Sequence, residues 1–175
     1  MITLSKIPLI IGVSGLVFSG KNSFCDLLEK TLVEKYKLRT KQLSFAWQLR
    51  IETEKILKEN FEYNVWTKDK DEKEKLRPLL LVWAEMRRNQ NKDYFVNKSN
   101  EIIIKSTDIQ VFLISDLRYP NELNYIKNNN GIIVHISKYK NVLFYRDGSF
   151  SHVIKREYLE PPNKFEAEND PILDK

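Results

Sequence analysis

An α/β fold, with a parallel β-sheet layered between helices, is what the sequence predicts, and three observations lead there. Short, β-branched apolar runs at residues 7–13, 111–115 and 132–136 read as buried strands. Between them lie segments whose apolar residues recur at helical spacing. The first strand passes into the first helix through clustered glycines: Gly12, Gly15 and Gly20 are three of only five in the chain. With 175 residues, 42% of them hydrophobic, the chain can bury one core, which excludes disorder as its dominant state.

The elements follow in order. After the strand at 7–13, Phe24, Leu27, Leu28, Thr31 and Leu32 fall on one face of a helix running from Asn22 to about Tyr36. Residues 41–46 make a second short strand that leads into a helix over about 48–60. The stretch 68–75 alternates in sign, with Asp69/Lys73 and Asp71/Lys75 four apart, and reads as a solvated helix start or loop. Pro78 fits the first turn of a helix carrying Leu79, Leu80, Leu81, Val82, Trp83 and Met86. Being apolar nearly all round, that helix is expected to lie deep. A further helix is expected over 94–105. The strand at 111–115 ends at Asp116, and a helix over 121–129 stops at the Asn128 to Gly131 signal. The third buried strand, 132–136, carries His135 as a core residue; His152 is uninformative. From Pro161 onward there is little patterning, as in a peripheral arm or a segment cut short.

Charge and cysteine narrow the function. A net charge of +5 and a pI near 9.1 suit an anionic partner, either nucleic acid or a phosphorylated small molecule. The single cysteine, Cys25, excludes an internal disulfide and a paired-cysteine metal or redox site, and packing is its expected role. No apolar run approaches the ~18 residues of a membrane span. The N-terminal apolar run meets glycines and a lysine instead of a cleavage site, so a cytoplasmic protein is expected.

The segment from Gly15 to Ser23 matches the phosphate-loop pattern GxxxxGK, with Asn22 where a hydroxyl residue is usual. Glycines let successive N–H groups turn toward phosphate oxygens, and the new helix adds its N-terminal dipole. Gly15, Ser19, Gly20, Lys21, Asn22 and Ser23 are thus the expected cofactor-phosphate-binding residues, with Lys21 bridging the β- and γ-phosphates. Asn22 is a poorer metal ligand than a hydroxyl, so Mg²⁺ would be held through water with Ser23 nearby; a degenerate loop is the other reading of Asn22. Asp116, closing a buried strand, stands where a carboxylate serves Mg²⁺ or its waters. Arg118, two residues on, either binds an anion beside it or pairs with Asp116 to fix the turn.

These residues resemble a family, the bacteriophage-type deoxynucleoside monophosphate kinases among the P-loop nucleotide kinases. The loop Ser19-Gly-Lys-Asn-Ser23 is similar to that family's SGKDT. The block Phe45-Ala-Trp-Gln-Leu-Arg50 is similar to one in which FA precedes a Leu-Lys pair. The third block runs from Arg77 to Glu85, with Arg88 and Asp93-Tyr-Phe95. The fourth is Ser115-Asp-Leu-Arg-Tyr-Pro-Asn-Glu122. Trp83-Ala84 replaces a Gly-Thr pair of that family.

The resemblance implies a P-loop NTPase-type three-layer fold and transfer of the ATP γ-phosphoryl group to a (deoxy)nucleoside monophosphate. By position it implies that Arg50, with Arg77 and Arg88, meets the acceptor phosphate, that Asp116 serves Mg²⁺, and that Arg118 neutralises the transferring phosphate beside Lys21. It further implies a kinase domain over 1–160, an acceptor-binding helical region over about 46–106, a lid over about 137–156 and an arm over 161–175. Lys138, Lys140, Arg146, Lys155 and Arg156 surround the lid segment. Three other readings stay open: a P-loop kinase of another phosphorylated metabolite, such as a coenzyme precursor or phosphomevalonate; a nucleic-acid-binding P-loop protein with weak ATPase activity; and a binding protein that has lost catalysis. Nucleic acid is not expected, because Trp47, Trp66 and Tyr94 are spread at core spacings. A homodimer stays open, and no membrane partner is expected.

Overall fold

The computed structural model describes residues 8–16, 19–67 and 69–137, and the backbone of 139–146 and 149–158. The main sheet comprises β1 (Leu9–Ser14), β2 (Thr40–Leu43), β3 (Val111–Ile114) and β4 (Ile132–His135). All pairings are parallel and the strand order is β2-β3-β1-β4. Five helices accompany it among the described residues: α1 (Lys21–Glu34), α2 (Trp47–Phe61), α3 (Lys70–Gln90), α4 (Tyr94–Lys105) and α5 (Pro120–Asn128). A separate antiparallel pair, β5 (Tyr139–Arg146) and β6 (Ser149–Tyr158), forms the segment expected as a lid. The side chains of the expected lid cations lie outside the described residues, as does the 161–175 arm.

Successive strand side chains point to opposite faces, and both faces are covered. Ile10, Phe112 and Ile114 join Leu49 of α2, Phe95 and Ile103 of α4, and Leu123 and Ile126 of α5. On the other face, Ile11, Val13, Val111 and Leu113 meet Cys25, Phe24 and Leu28 of α1. This is the P-loop NTPase-type three-layer arrangement. From the adjacent strands β1 and β3 the chain leaves toward opposite faces, into α1 and α5. Such a switch point opens a crevice at the strands' carboxyl ends, and there the chain places both the glycine loop and Asp116.

Three expectations are corrected, for Pro78, for the depth of α3 and for β4. The charged stretch is a helix start, one of its two expected readings: Asp69 caps it, accepting Glu72 N at 2.8 Å, so α3 begins at Lys70 and Pro78 falls inside it instead of in its first turn. Nor does α3 lie deep: Leu79, Val82 and Met86 are 43, 59 and 55% exposed, and only Leu76 and Ala84 are buried. An apolar run through every helical face can bury only the stripe that meets a neighbour, here α2 and α4. β4 likewise is an edge of the described sheet, with Ile132 exposed and the rest half-buried, not a strand buried on both sides.

The turn before β4 requires a glycine for lack of space. A Cβ at Gly131 would lie 2.6 Å from the carbonyl oxygen of Ile10 and 2.7 Å from Ile126. Gly131→Ala is expected to destabilise the fold by about 1–3 kcal/mol, seen as a lower urea midpoint with an unchanged denaturant slope.

Candidate functional site

β1 ends in Ser14, whose hydroxyl meets His135 Nδ1 at 2.9 Å across the β1–β4 pair. The chain then turns at Gly15, with φ of 135°, where a Cβ would lie 2.3 Å from the carbonyl oxygen of Ile136. Gly20, with φ of 100°, is the N-cap of α1, and no side chain caps that helix among the described residues. The first-turn amides of a helix have no intrahelical acceptor, so here they remain for a ligand's oxygens. Lys21 Nζ reaches back over the loop, donating to the carbonyls of Gly15 and Leu16 at 2.6 Å each. Ser19 Oγ is buried with no partner among the described residues, and a Cβ at Gly20 would meet nothing within 4 Å. An orphaned buried hydroxyl, an uncapped helix and a lysine together fit a phosphate group.

Asn22 and Ser23 are exposed in the first turn of α1. No cluster of three or more His, Cys, Asp or Glu residues able to hold a metal exists among the described residues. Among the described residues a magnesium ion would therefore depend on phosphate oxygens and water, with Asn22, Ser23 and Asp116 as the expected contributors. Cys25 is fully buried, and its thiol is pushed up to about 11 by burial and then by Asp26 and Glu29. It packs, as expected, and is unreactive at neutral pH.

Asp116 does not pair with Arg118. Its Oδ2 accepts from Ser44 Oγ at 2.8 Å and Ala46 N at 3.0 Å, and its Oδ1 from Phe45 N at 2.8 Å. The carboxylate thus ties the end of β3 to the turn that launches α2. Two donors occupy Oδ2, which leaves Oδ1 as the oxygen with room for a metal-bound water. The Arg118 guanidinium has no hydrogen bond or ion pair among the described residues, while its backbone N–H donates to Glu122 Oε2 at 2.8 Å.

The expected acceptor arginines divide. Arg88 stands over two rings, 4.0 Å from the Tyr119 centroid and 4.9 Å from that of Phe95, beside the Asp116–Glu122 segment. Arg50 stands 5.6 Å over Trp66, which is tilted against Trp47. Arg77 is instead ion-paired with Glu74 at 2.8 Å on the exposed surface of α3. It lies eleven residues, about 16 Å, along the helix from Arg88.

Sequence reasoning missed Glu52. Its carboxylate accepts from Trp83 Nε1 at 2.9 Å, Arg87 Nε at 2.7 Å, Gln48 Nε2 at 3.0 Å and the Tyr94 hydroxyl, joining α2, α3 and α4. Burial alone would push this carboxyl up, but the hydrogen bonds from Trp83, Tyr94, Gln48 and Arg87 outweigh it and hold it down at about 2. Only the Gln48–Glu52 spacing, i and i+4, was visible locally. A folded-state value below the ordinary 4.5 means stability that is present above pH ~4.5 and is lost as the pH falls toward ~2. Glu52→Gln is expected to lower stability by about 2–3 kcal/mol at pH 7. Urea midpoints measured from pH 7 to pH 3 should converge on those of the wild type at the acid end.

The family model described as phosphomevalonate kinase matches residues 13–131. That is about two thirds of the chain, from the end of β1 through the loop, the helical region and the Asp116–Glu122 segment to the turn before β4. None of the curated proteins matches the chain. No helix among the described residues is long and apolar enough to cross a membrane.

Proposed function

The chain belongs to the phosphomevalonate kinase family, and on that premise we propose that it transfers the γ-phosphoryl group of ATP to a phosphate-bearing metabolite, phosphomevalonate being the first acceptor to test. The observation that carries the proposal is the loop at the head of α1, where the uncapped helix, Lys21 and the orphaned Ser19 hydroxyl lie within the matched region.

In this reading the acceptor's phosphate oxygen attacks the γ-phosphorus, the bond from that phosphorus to the β–γ bridging oxygen breaks, and ADP leaves with that oxygen. A phosphomonoester is largely dianionic near pH 7, so no protein nucleophile or strong base is needed. Catalysis reduces to placing two anions in line and compensating their charge. Gly15, Gly20, Ser19 and Lys21 would hold the ATP phosphates. Arg50 and Arg88 would receive the acceptor phosphate, and Arg118, with Lys21, would meet the charge of the transferring group. Arg77, already paired with Glu74, has the weaker claim. Magnesium, when bound, would neutralise phosphate charge; Asn22, Ser23 and Asp116 Oδ1 would hold its waters.

A nucleoside monophosphate is the second reading, favoured by the four sequence blocks and by the Trp47–Trp66 pair beside Arg50, since aromatic faces stack on nucleobases. Both acceptors present the same phosphate and differ at the other end. ADP release from ATP–Mg²⁺ should therefore be screened against phosphomevalonate and all common ribo- and deoxynucleoside monophosphates. Turnover with phosphomevalonate alone supports the first reading, and turnover with nucleotides alone supports the second. ATP binding without turnover on any acceptor would sink both.

A further inference from the structure

We propose that Glu122 is a positioning residue for this site, setting the place of Arg118 through its backbone and that of Arg88 through the ring of Tyr119. The inference rests on the kinase reading and assigns a role to a side chain that need not touch substrate. Glu122 is 3% exposed and lies in the first turn of α5. Its Oε2 accepts both Arg118 N at 2.8 Å and Tyr119 N at 3.1 Å, so one oxygen fixes two consecutive residues of the loop after β3.

Each of those residues controls a guanidinium. Arg118 carries its own. Tyr119 presents its ring to Arg88, 4.0 Å from the centroid, with Phe95 as the second face. Neither guanidinium has a hydrogen bond or ion pair among the described residues. A cation held against ring faces is located without using up its N–H donors. Two arginines placed by amides and rings, instead of by carboxylates, keep their charge for an incoming anion.

A carboxyl at the third position of a helix is also an ordinary capping residue, but a cap needs no burial. Here burial, and then the charge of Asp116, push the Glu122 carboxyl up to about 8, against the pull of the Arg118 and Tyr119 amides and of Arg88. At neutral pH it is mostly the uncharged acid. It anchors the loop without cancelling the arginine charges beside it.

The test uses the full chain and whichever acceptor the wild type phosphorylates. Glu122→Gln keeps a neutral carbonyl oxygen for both amides, and its kcat should stay within about threefold of wild type. Glu122→Ala should lose about 10–10² in kcat, with the KM for ATP within about twofold, because the Lys21 loop is untouched. Should the alanine variant fold poorly, Tyr119→Leu tests the ring: the acceptor KM should rise about tenfold with little change in the KM for ATP. Unchanged kcat in Glu122→Ala beside a lower Tm would reduce Glu122 to a helix cap and overturn the inference. So would a glutamine variant as impaired as the alanine, or an unchanged acceptor KM in Tyr119→Leu. A wild type inactive on every acceptor overturns the kinase reading along with it, whereas an active wild type confines any failure to Glu122.

Discussion

Lys21→Ala is expected to lower kcat by about 10²–10³ while leaving the fold nearly as stable as the wild type. The amine holds two loop carbonyls in the ligand-free arrangement, Gly15 and Leu16. Losing such partly exposed hydrogen bonds costs about 1 kcal/mol. Charge compensation in a water-excluded transfer site is worth far more, and removing one preorganised donor typically costs about 2.7–4 kcal/mol of barrier. The uncapped amides of α1 and the Ser19 hydroxyl remain, so ATP affinity should fall less than kcat does. Lys21→Arg should not restore the rate, because a planar guanidinium cannot occupy the place of a compact ammonium. Steady-state kinetics beside a thermal melt separates the two effects. A variant within fivefold of wild-type kcat would remove Lys21 from the transfer step.

Asp116→Ala is the second large effect, and it should strike stability and activity together. The substitution leaves Ser44 Oγ–H, Phe45 N–H and Ala46 N–H without their acceptor. Unsatisfied donors cost about 1–3 kcal/mol each when fully buried; this turn is half-buried and partly rehydrates, so about 2–4 kcal/mol in total is expected. The turn launches α2 only a few residues before Arg50, so its loosening should misplace the acceptor, and kcat/KM should fall about 10²-fold. Asp116→Asn keeps one acceptor oxygen but turns an N–H₂ group toward the donors, and should fall between. Were Asp116 solely a metal residue, the alanine variant would melt like the wild type and regain its rate at high magnesium. The clamp geometry predicts a lower Tm and no such rescue.

The fold was readable wherever a local pattern determined it. The helix over 94–105 matches α4 residue for residue, and the strand at 111–115 matches β3 to within one. Each is a single periodic run with clear ends. The start of α3 was misjudged because Pro78 locally favours a first turn, whereas Asp69 caps a helix that begins in the charged stretch and runs on through Pro78. The depth of α3 was equally hidden: how many of its faces meet a neighbour depends on where α2 and α4 lie.

The site divides along the same line. The phosphate loop is contiguous, so its glycines, serine and lysine could be read in order. Asp116 and Arg118 were found, but the partners of Asp116 lie about seventy residues away at the β2–α2 turn, and no spacing foretells them. Glu52 escaped notice because its ligands come from three helices. Arg77 and Arg88 look alike in sequence; only packing gives one to Glu74 and the other to Tyr119.

The most direct test of the account follows the γ-phosphoryl group itself. Wild-type protein would be incubated with γ-labelled ATP, Mg²⁺ and each phosphomonoester acceptor, and the labelled products separated. The account predicts label in the second phosphate of one acceptor's diphosphate, formed in equal amount to ADP and about 10²–10³ times more slowly with Lys21→Ala. Label recovered only in ATP, or only as inorganic phosphate whatever the acceptor, would contradict it.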